Sequence, residues 1–162
     1  MMKGSHLILL LLAIMIFGCQ TTRVSANCEL LAENIKMPSV TVVNAHLIPA
    51  GIFQAPDGQD YDVPAFCRVQ GVAKPTGNSS INFEIWLPKE KWNGRYYQHG
   101  SGGESGRISY AALAGYLREG NAVATTDDGH ATTPTTNNYQ WAINRPNRII
   151  DWGYRALKET RD

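Results

Sequence analysis

The chain has 162 residues, 43% hydrophobic and 18% charged, with 15 Lys and Arg against 14 Asp and Glu. This is the size and balance of about one globular domain, and it argues against intrinsic disorder. With a net charge of +1 and no basic cluster, the sequence lacks the electrostatic footprint that nucleic acid or an anionic membrane surface would need.

Lys3 and His6 precede an apolar run from Leu7 to Phe17, followed by Gly18 and Cys19. A run of about eleven residues is short of the roughly twenty that span a bilayer, so residues 1–26 are expected to be an export signal rather than part of the fold. Two cleavage sites compete. IFGC resembles a bacterial lipobox that would leave Cys19 as a lipidated N-terminus, and VSA, residues 24–26, suits an ordinary signal peptidase. Either way the expected location is secreted or periplasmic, and any membrane contact is through a lipid anchor. Once Cys19 is lipidated or removed, Cys28 and Cys67 remain as an even pair, which suggests a disulfide in an oxidising compartment; the alternative is two separate buried thiols.

Residues 27–75 read as a strand-and-loop apron. Short β-prone pieces, Ser39 to Val43 and Ala65 to Val69, are divided by Pro38, Pro49, Pro56, Pro64 and the turn pair Asp57-Gly58, with a short helix expected around Cys28 to Asn34. From residue 76 the pattern becomes regular. In INFEIWLP, Ile81, Phe83, Ile85 and Leu87 alternate with Asn82, Glu84 and Trp86, the period of a strand with one buried face. Asn93-Gly94 signals a type I′ hairpin, so Arg95 to His99 is expected to return antiparallel.

Ile108, Ala112, Leu113, Tyr116 and Leu117 recur at helical spacing, ending at Gly120. Ala122 to Thr126 follows as a short apolar strand, parallel if the helix is a crossover. A second helical pattern covers Arg148 to Thr160, with Ile149, Ile150, Gly153, Ala156 and Leu157 on one face. The order of hairpin, helix, strand and helix is that of an α/β domain opening with antiparallel strands.

The stretch HGSGGESG, residues 99–106, lies between the expected strand and helix. It misses the dinucleotide fingerprint by one position, because Ser105 stands where the third glycine belongs, and it lacks the Lys-Ser/Thr ending of a Walker loop. A glycine turn at the carboxyl end of a strand also suits an oxyanion hole, where a backbone N–H reaches a charged oxygen only if no Cβ obstructs it. The plain structural alternative is a tight turn that needs positive φ.

Five stretches in order, FCRV, INFEIWLP, WNGRYYQHGSGGESG, AVATTDDGH and DWGYRALKET, together resemble the tannase and feruloyl esterase family over roughly Cys28 to Asp162. The resemblance implies the first part of a secreted α/β-hydrolase that cleaves small aromatic esters of phenolic acids with a Ser-Asp-His triad. A lid domain in that family holds a structural calcium ion. Residue by residue, Gly102 and Gly103 match the oxyanion segment, Cys28 and Cys67 match the family disulfide, and Asp127, Gly129 and His130 match its Asp-x-Gly-His stretch.

Asp127 and His130 are expected to order a loop near the site rather than to join the triad. No metal or cofactor site is expected in this span. The family's nucleophile elbow follows the DWGYRALKET helix, so the triad, the lid and the calcium ligands are expected beyond Asp162, and the piece alone is expected to be inactive. The alternative function is a secreted, non-catalytic binding module for a polyphenol or carbohydrate, built on an exposed Trp and the polar loop Thr132 to Tyr139.

Overall fold

A computed structural model describes residues 28–131 and 139–162. The export signal with its two cleavage sites and Cys19, and all of the polar loop but Tyr139, lie outside these residues. No helix among the described residues is long and apolar enough to cross a membrane.

A single turn of 3-10 helix (Cys28–Leu30) leads into α1 (Leu31–Asn34). The strands are β1 (Val40–Ile48), β2 (Gly51–Gln54), β3 (Asp60–Val63), β4 (Phe66–Ala73), β5 (Ile81–Pro88), β6 (Tyr96–His99) and β7 (Ala122–Thr126). Helix α2 (Tyr110–Arg118) joins β6 to β7, and the chain continues through α3 (Pro146–Ile150), a π turn (Asp151–Arg155) and α4 (Ala156–Arg161). The main sheet runs β1-β4-β5-β7-β6, with β2 and β3 forming a separate hairpin. Because β1 and β4 come from the 27–75 segment, the hydrogen-bonded sheet extends across residue 75 without a break.

The strand pairs are antiparallel from β1 to β7, and β6 pairs with β7 in parallel through the α2 crossover. This gives the mixed α/β sheet expected from the sequence, but β6 does not return along β5. β7 takes that place because all five of its residues are buried, and a strand covered on both faces belongs inside the sheet. β6, with Tyr96 and Tyr97 both exposed, occupies the edge. The Asn93-Gly94 turn instead docks on the end of α2. Asn93 N–H donates to the Gly120 carbonyl at 3.0 Å, and its Nδ2 donates to the Glu119 carbonyl at 3.0 Å.

β5 is covered on both faces, not one. Trp86 packs with Phe53, Phe66, Tyr110 and Leu113 under α2, whereas Ile81 and Phe83 pack with Ala73 and Ala156 on the opposite face. Glu84, on the α2 side, is a buried hub that accepts from Arg68 Nε (2.9 Å), Gln70 Nε2 (3.1 Å), Trp86 Nε1 (2.9 Å) and the Tyr110 hydroxyl (2.9 Å). A buried carboxylate survives only when its lone pairs are filled in this way. Burial, and then the neighbouring Glu84 charge, push the Tyr110 phenol well above its usual range.

Cys28 and Cys67 form the disulfide, which ties the start of the described chain to β4. The last helix departs from its expected face. Ile149 and Leu157 are exposed; Ala156 is buried as expected, and Asp151 and Thr160 face inward with it. The π turn explains the change, because widening one turn places residue i+5 rather than i+4 over residue i, and Asp151 to Ala156 is such a step.

Candidate active site

β6 and β7 are parallel neighbours, so the loops that leave His99 and Thr126 emerge side by side at their carboxyl ends. In open α/β sheets this edge is where ligands bind. Residues 100–109 form the first loop and residues 127–131 begin the second. Two shallow clefts open on the glycine loop. The larger, about 240 Å³, touches Gly100, Ser101, Gly102 and the first residues of α2. The smaller, about 190 Å³, lies between Gly100, Ser101, Gly103, Asp128, Trp152 and Leu157.

The glycines have separate reasons to be glycine. Gly106 packs against the backbone of His130: a Cβ there would meet the His130 carbonyl carbon at 2.8 Å and its ring at 2.9 Å, and would overlap the carbonyl oxygen. Gly103 has φ +60, a left-handed conformation that other residues adopt at a cost. At Gly102 neither reason applies, since its φ is not positive and an added Cβ would meet no atom within 4 Å. Helix α2 starts at Tyr110, capped by the Ser109 hydroxyl at 3.4 Å, so Gly106 lies in the loop before it.

The loop carbonyls are spoken for. Gly102 O accepts from Ser105 N–H at 3.2 Å, Gly103 O from Trp152 Nε1–H at 3.3 Å, and Glu104 O from His130 Nε2 at 2.9 Å. Both ring nitrogens of His130 face carbonyls, Nδ1 toward Asp128 O at 3.3 Å and Nε2 toward Glu104 O at 2.9 Å; a carbonyl only accepts, so the shorter contact assigns the proton of the neutral ring to Nε2. The peptide bonds of the described residues are all trans, so each carbonyl points opposite to the N–H of the following residue. The Gly103 N–H therefore points away from the Ser105 turn. Among the described residues, neither the Gly102 nor the Gly103 amide is paired.

Asp127 is structural in its contacts. Its carboxylate accepts from Asn82 N (2.9 Å), Asn82 Nδ2 (2.6 Å) and Gly129 N (3.0 Å), which pins the end of β7 to β5. Burial raises its pKa, and the bonds from Asn82 and Gly129 oppose that rise. Asp128, at φ +56, lies in the smaller cleft. Burial pushes its carboxyl up, while a hydrogen bond from the Ser101 side chain and the nearby His130 pull it down. His130 is fully buried, with its ring stacked on Trp141 at 3.7 Å.

Asp127 and His130 thus shape the loop edge and do not hydrogen-bond each other's side chains. Sequence reasoning missed the Trp152–Gly103 and Ser101–Asp128 contacts. The Ser and Asp were visible, but nothing in their spacing brought two strand ends together. Among the described residues no three His, Cys, Asp or Glu side chains are grouped to hold a metal ion.

A mixed sheet whose parallel pair is joined by a crossover helix, with a glycine loop at the carboxyl end of β6, is a partial α/β-hydrolase fold. The family model described as tannase and feruloyl esterase matches residues 67–162. An uncharacterized esterase of Xanthomonas campestris pv. campestris is 45% identical over 142 residues, covering 86% of this chain and 24% of its own length. Feruloyl esterase C of Talaromyces stipitatus is 28% identical over 168 residues, covering 97% of this chain and 31% of its own.

The crystal structure of feruloyl esterase B from Aspergillus oryzae superposes with a TM-score of 0.73 at 28% identity, over 84% of this chain and 27% of that one. The chain belongs to the tannase and feruloyl esterase family, whose members are esterases. It spans about a quarter to a third of the length of these relatives.

Proposed function

We propose that the chain is the leading part of a serine carboxylesterase that hydrolyses small aromatic esters of phenolic acids, and that it contributes one arm of the oxyanion hole. The observation that carries this reading is the pair of amides at Gly102 and Gly103, unpaired among the described residues, each lining one of the two clefts and with open space where a side chain would stand.

In the reaction a serine hydroxyl, its proton taken by a histidine, attacks the ester carbonyl carbon. The C=O electron pair moves onto oxygen, and the Gly102 and Gly103 N–H groups meet the charge that builds there. Collapse of this intermediate expels the alcohol, which takes the proton from the histidine, and water then releases the acid by the same steps. One preorganised donor of this kind is worth about 2.7–4 kcal/mol of barrier. The serine, histidine and aspartate belong to polypeptide beyond residue 162, as do the acyl-pocket lid and its calcium ion. Among the described residues β6 has no strand on its outer side, which leaves room for another to pair there. The protein works outside the cytoplasm, in keeping with the disulfide and the apolar leader.

The test compares this 162-residue chain with a protein extended to its relatives' length, using methyl ferulate and a p-nitrophenyl ester. The extended protein turns over and is stopped by a serine-directed reagent, and the shorter chain shows no turnover. Hydrolysis by the shorter chain that the reagent abolishes, or an extended protein without esterase activity, refutes the reading.

A further inference from the structure

Two consecutive carbonyls of the glycine loop are gripped by one aromatic stack. Trp152 donates from Nε1 to Gly103 O at 3.3 Å, and His130 donates from Nε2 to Glu104 O at 2.9 Å. Between them stands Trp141, its ring 3.7 Å from His130 at 19° and 6.0 Å from Trp152 at 54°. The stack therefore joins three segments, the loop after β7, the turn that precedes α3 and the π turn, and ties them to the glycine loop.

Trp152 owes its place to that turn. Asp151, fully buried, is tied by Ser79 Oγ at 3.0 Å and Arg155 Nη1 at 3.1 Å, and its neighbour Trp152 is left at the surface against the loop. A π turn costs helix stability and tends to persist where it has a use. Here its use is visible as a hydrogen bond to the loop.

Fixing the Gly103 carbonyl fixes the whole 103–104 peptide plane, and fixing Glu104 O fixes the next one. Gly103 itself, at φ +60 with open space where a side chain would stand, is held on its other side by the Ser105 N–H bond to Gly102 O at 3.2 Å, which sets the peptide plane of the Gly103 amide. A loose glycine turn would lose its conformational freedom at the moment of reaction, whereas a pre-set one does not.

We propose that His130, Trp141 and Trp152 form a clamp in which Trp152 is a positioning residue: through the Gly103 carbonyl it holds the glycine loop with the Gly102 and Gly103 amides presented for catalysis. The catalytic half of this assignment rests on the esterase reading above, and the mechanical half does not.

The test substitutes Trp152→Phe, which keeps a ring and removes the N–H. Backbone ¹⁵N relaxation is measured on the 162-residue chain, with Gly71 in β4 and Gly120 after α2 as internal references. Order parameters at Gly103 and Glu104 are expected to fall from about 0.85 to below about 0.6 while the references hold. In the unsubstituted chain, the Trp152 indole N–H is expected to exchange with solvent more slowly than in free tryptophan. In the extended protein the same substitution is expected to lower kcat by up to about 10²-fold, the cost of ångström-scale misplacement, at unchanged KM.

A loop that stays rigid in Trp152→Phe overturns the clamp, as does an indole N–H that exchanges at the free rate. Loosening without loss of kcat overturns the positioning role. An extended protein with no esterase turnover refutes the esterase reading instead, and leaves the relaxation data to decide the clamp.

Discussion

Replacing the loop glycines one at a time with alanine separates packing from function. At Gly106 the new methyl would overlap the His130 carbonyl, so the buried His130 segment must shift. Overpacking of this kind costs about 1–3 kcal/mol. Loss of the His130–Glu104 hydrogen bond adds about 0.5–1.5 kcal/mol. Gly106→Ala is therefore expected to lower unfolding free energy by roughly 2–4 kcal/mol.

Gly103→Ala places a side chain at φ +60 and is expected to cost about 1–2 kcal/mol. Gly102→Ala meets open space and should change stability by no more than about 0.5 kcal/mol, because nothing around it must move. The assay is urea unfolding of each variant, followed by far-UV circular dichroism and tryptophan fluorescence. In the extended protein Gly102→Ala should still lose about 10²–10³ in kcat, since the methyl obstructs the approach to an oxyanion donor. A Gly102→Ala protein that is destabilised as much as Gly106→Ala, or that keeps full kcat, refutes the functional reading of this loop.

Asp128 gives a pH signature. Its folded pKa is raised by burial, so the folded state binds the proton more tightly than the unfolded chain, whose carboxyl titrates near 3.8. That contribution to stability is fully present below pH 3.8 and is lost as pH rises through the higher folded value. Asp128→Asn, which also tolerates φ +56, is expected to match or exceed the parent in stability at pH 7 and to lose that advantage below pH 3.8. A pH-independent difference between the two urea midpoints would contradict this. Removing the Cys28–Cys67 bridge, which closes a separation of 39 residues, by Cys28→Ser with Cys67→Ser is expected to cost about 4 kcal/mol in the chain-entropy account. An unfolding midpoint unchanged by the double substitution, or by reductant, would show that the bridge does not constrain the unfolded chain.

Much of the fold was legible because it is local. The alternation in INFEIWLP, the 3.6-residue period from Ile108 to Leu117 and the glycine at 120 each report on a few neighbouring residues, and β5, α2 and the left-handed Gly120 at φ +82 stand where those patterns put them. The cysteine pair was a count, and it closed as a disulfide. What the local signals do not carry is competition between distant segments. Asn93-Gly94 has the chemistry of a hairpin, yet the place beside β5 went to β7, whose five small or β-branched residues are all buried, while the tyrosines of β6 stay exposed at the edge. The apolar stripe of the last helix was likewise read at an α-helical period that one wide turn breaks.

At the candidate site the sequence by itself determined that side chains are missing around residues 100–106, and the tertiary structure decided what each gap is for. Gly106 makes room for His130, Gly103 bends the chain, and Gly102 opens onto a cleft. Those meanings depend on which atoms arrive from β7 and from the π turn, segments 24 or more residues away in the chain (His130 from Gly106, Trp152 from Gly103). Backbone conformation is written in neighbouring residues, and what approaches a backbone is written in the packing of the whole sheet.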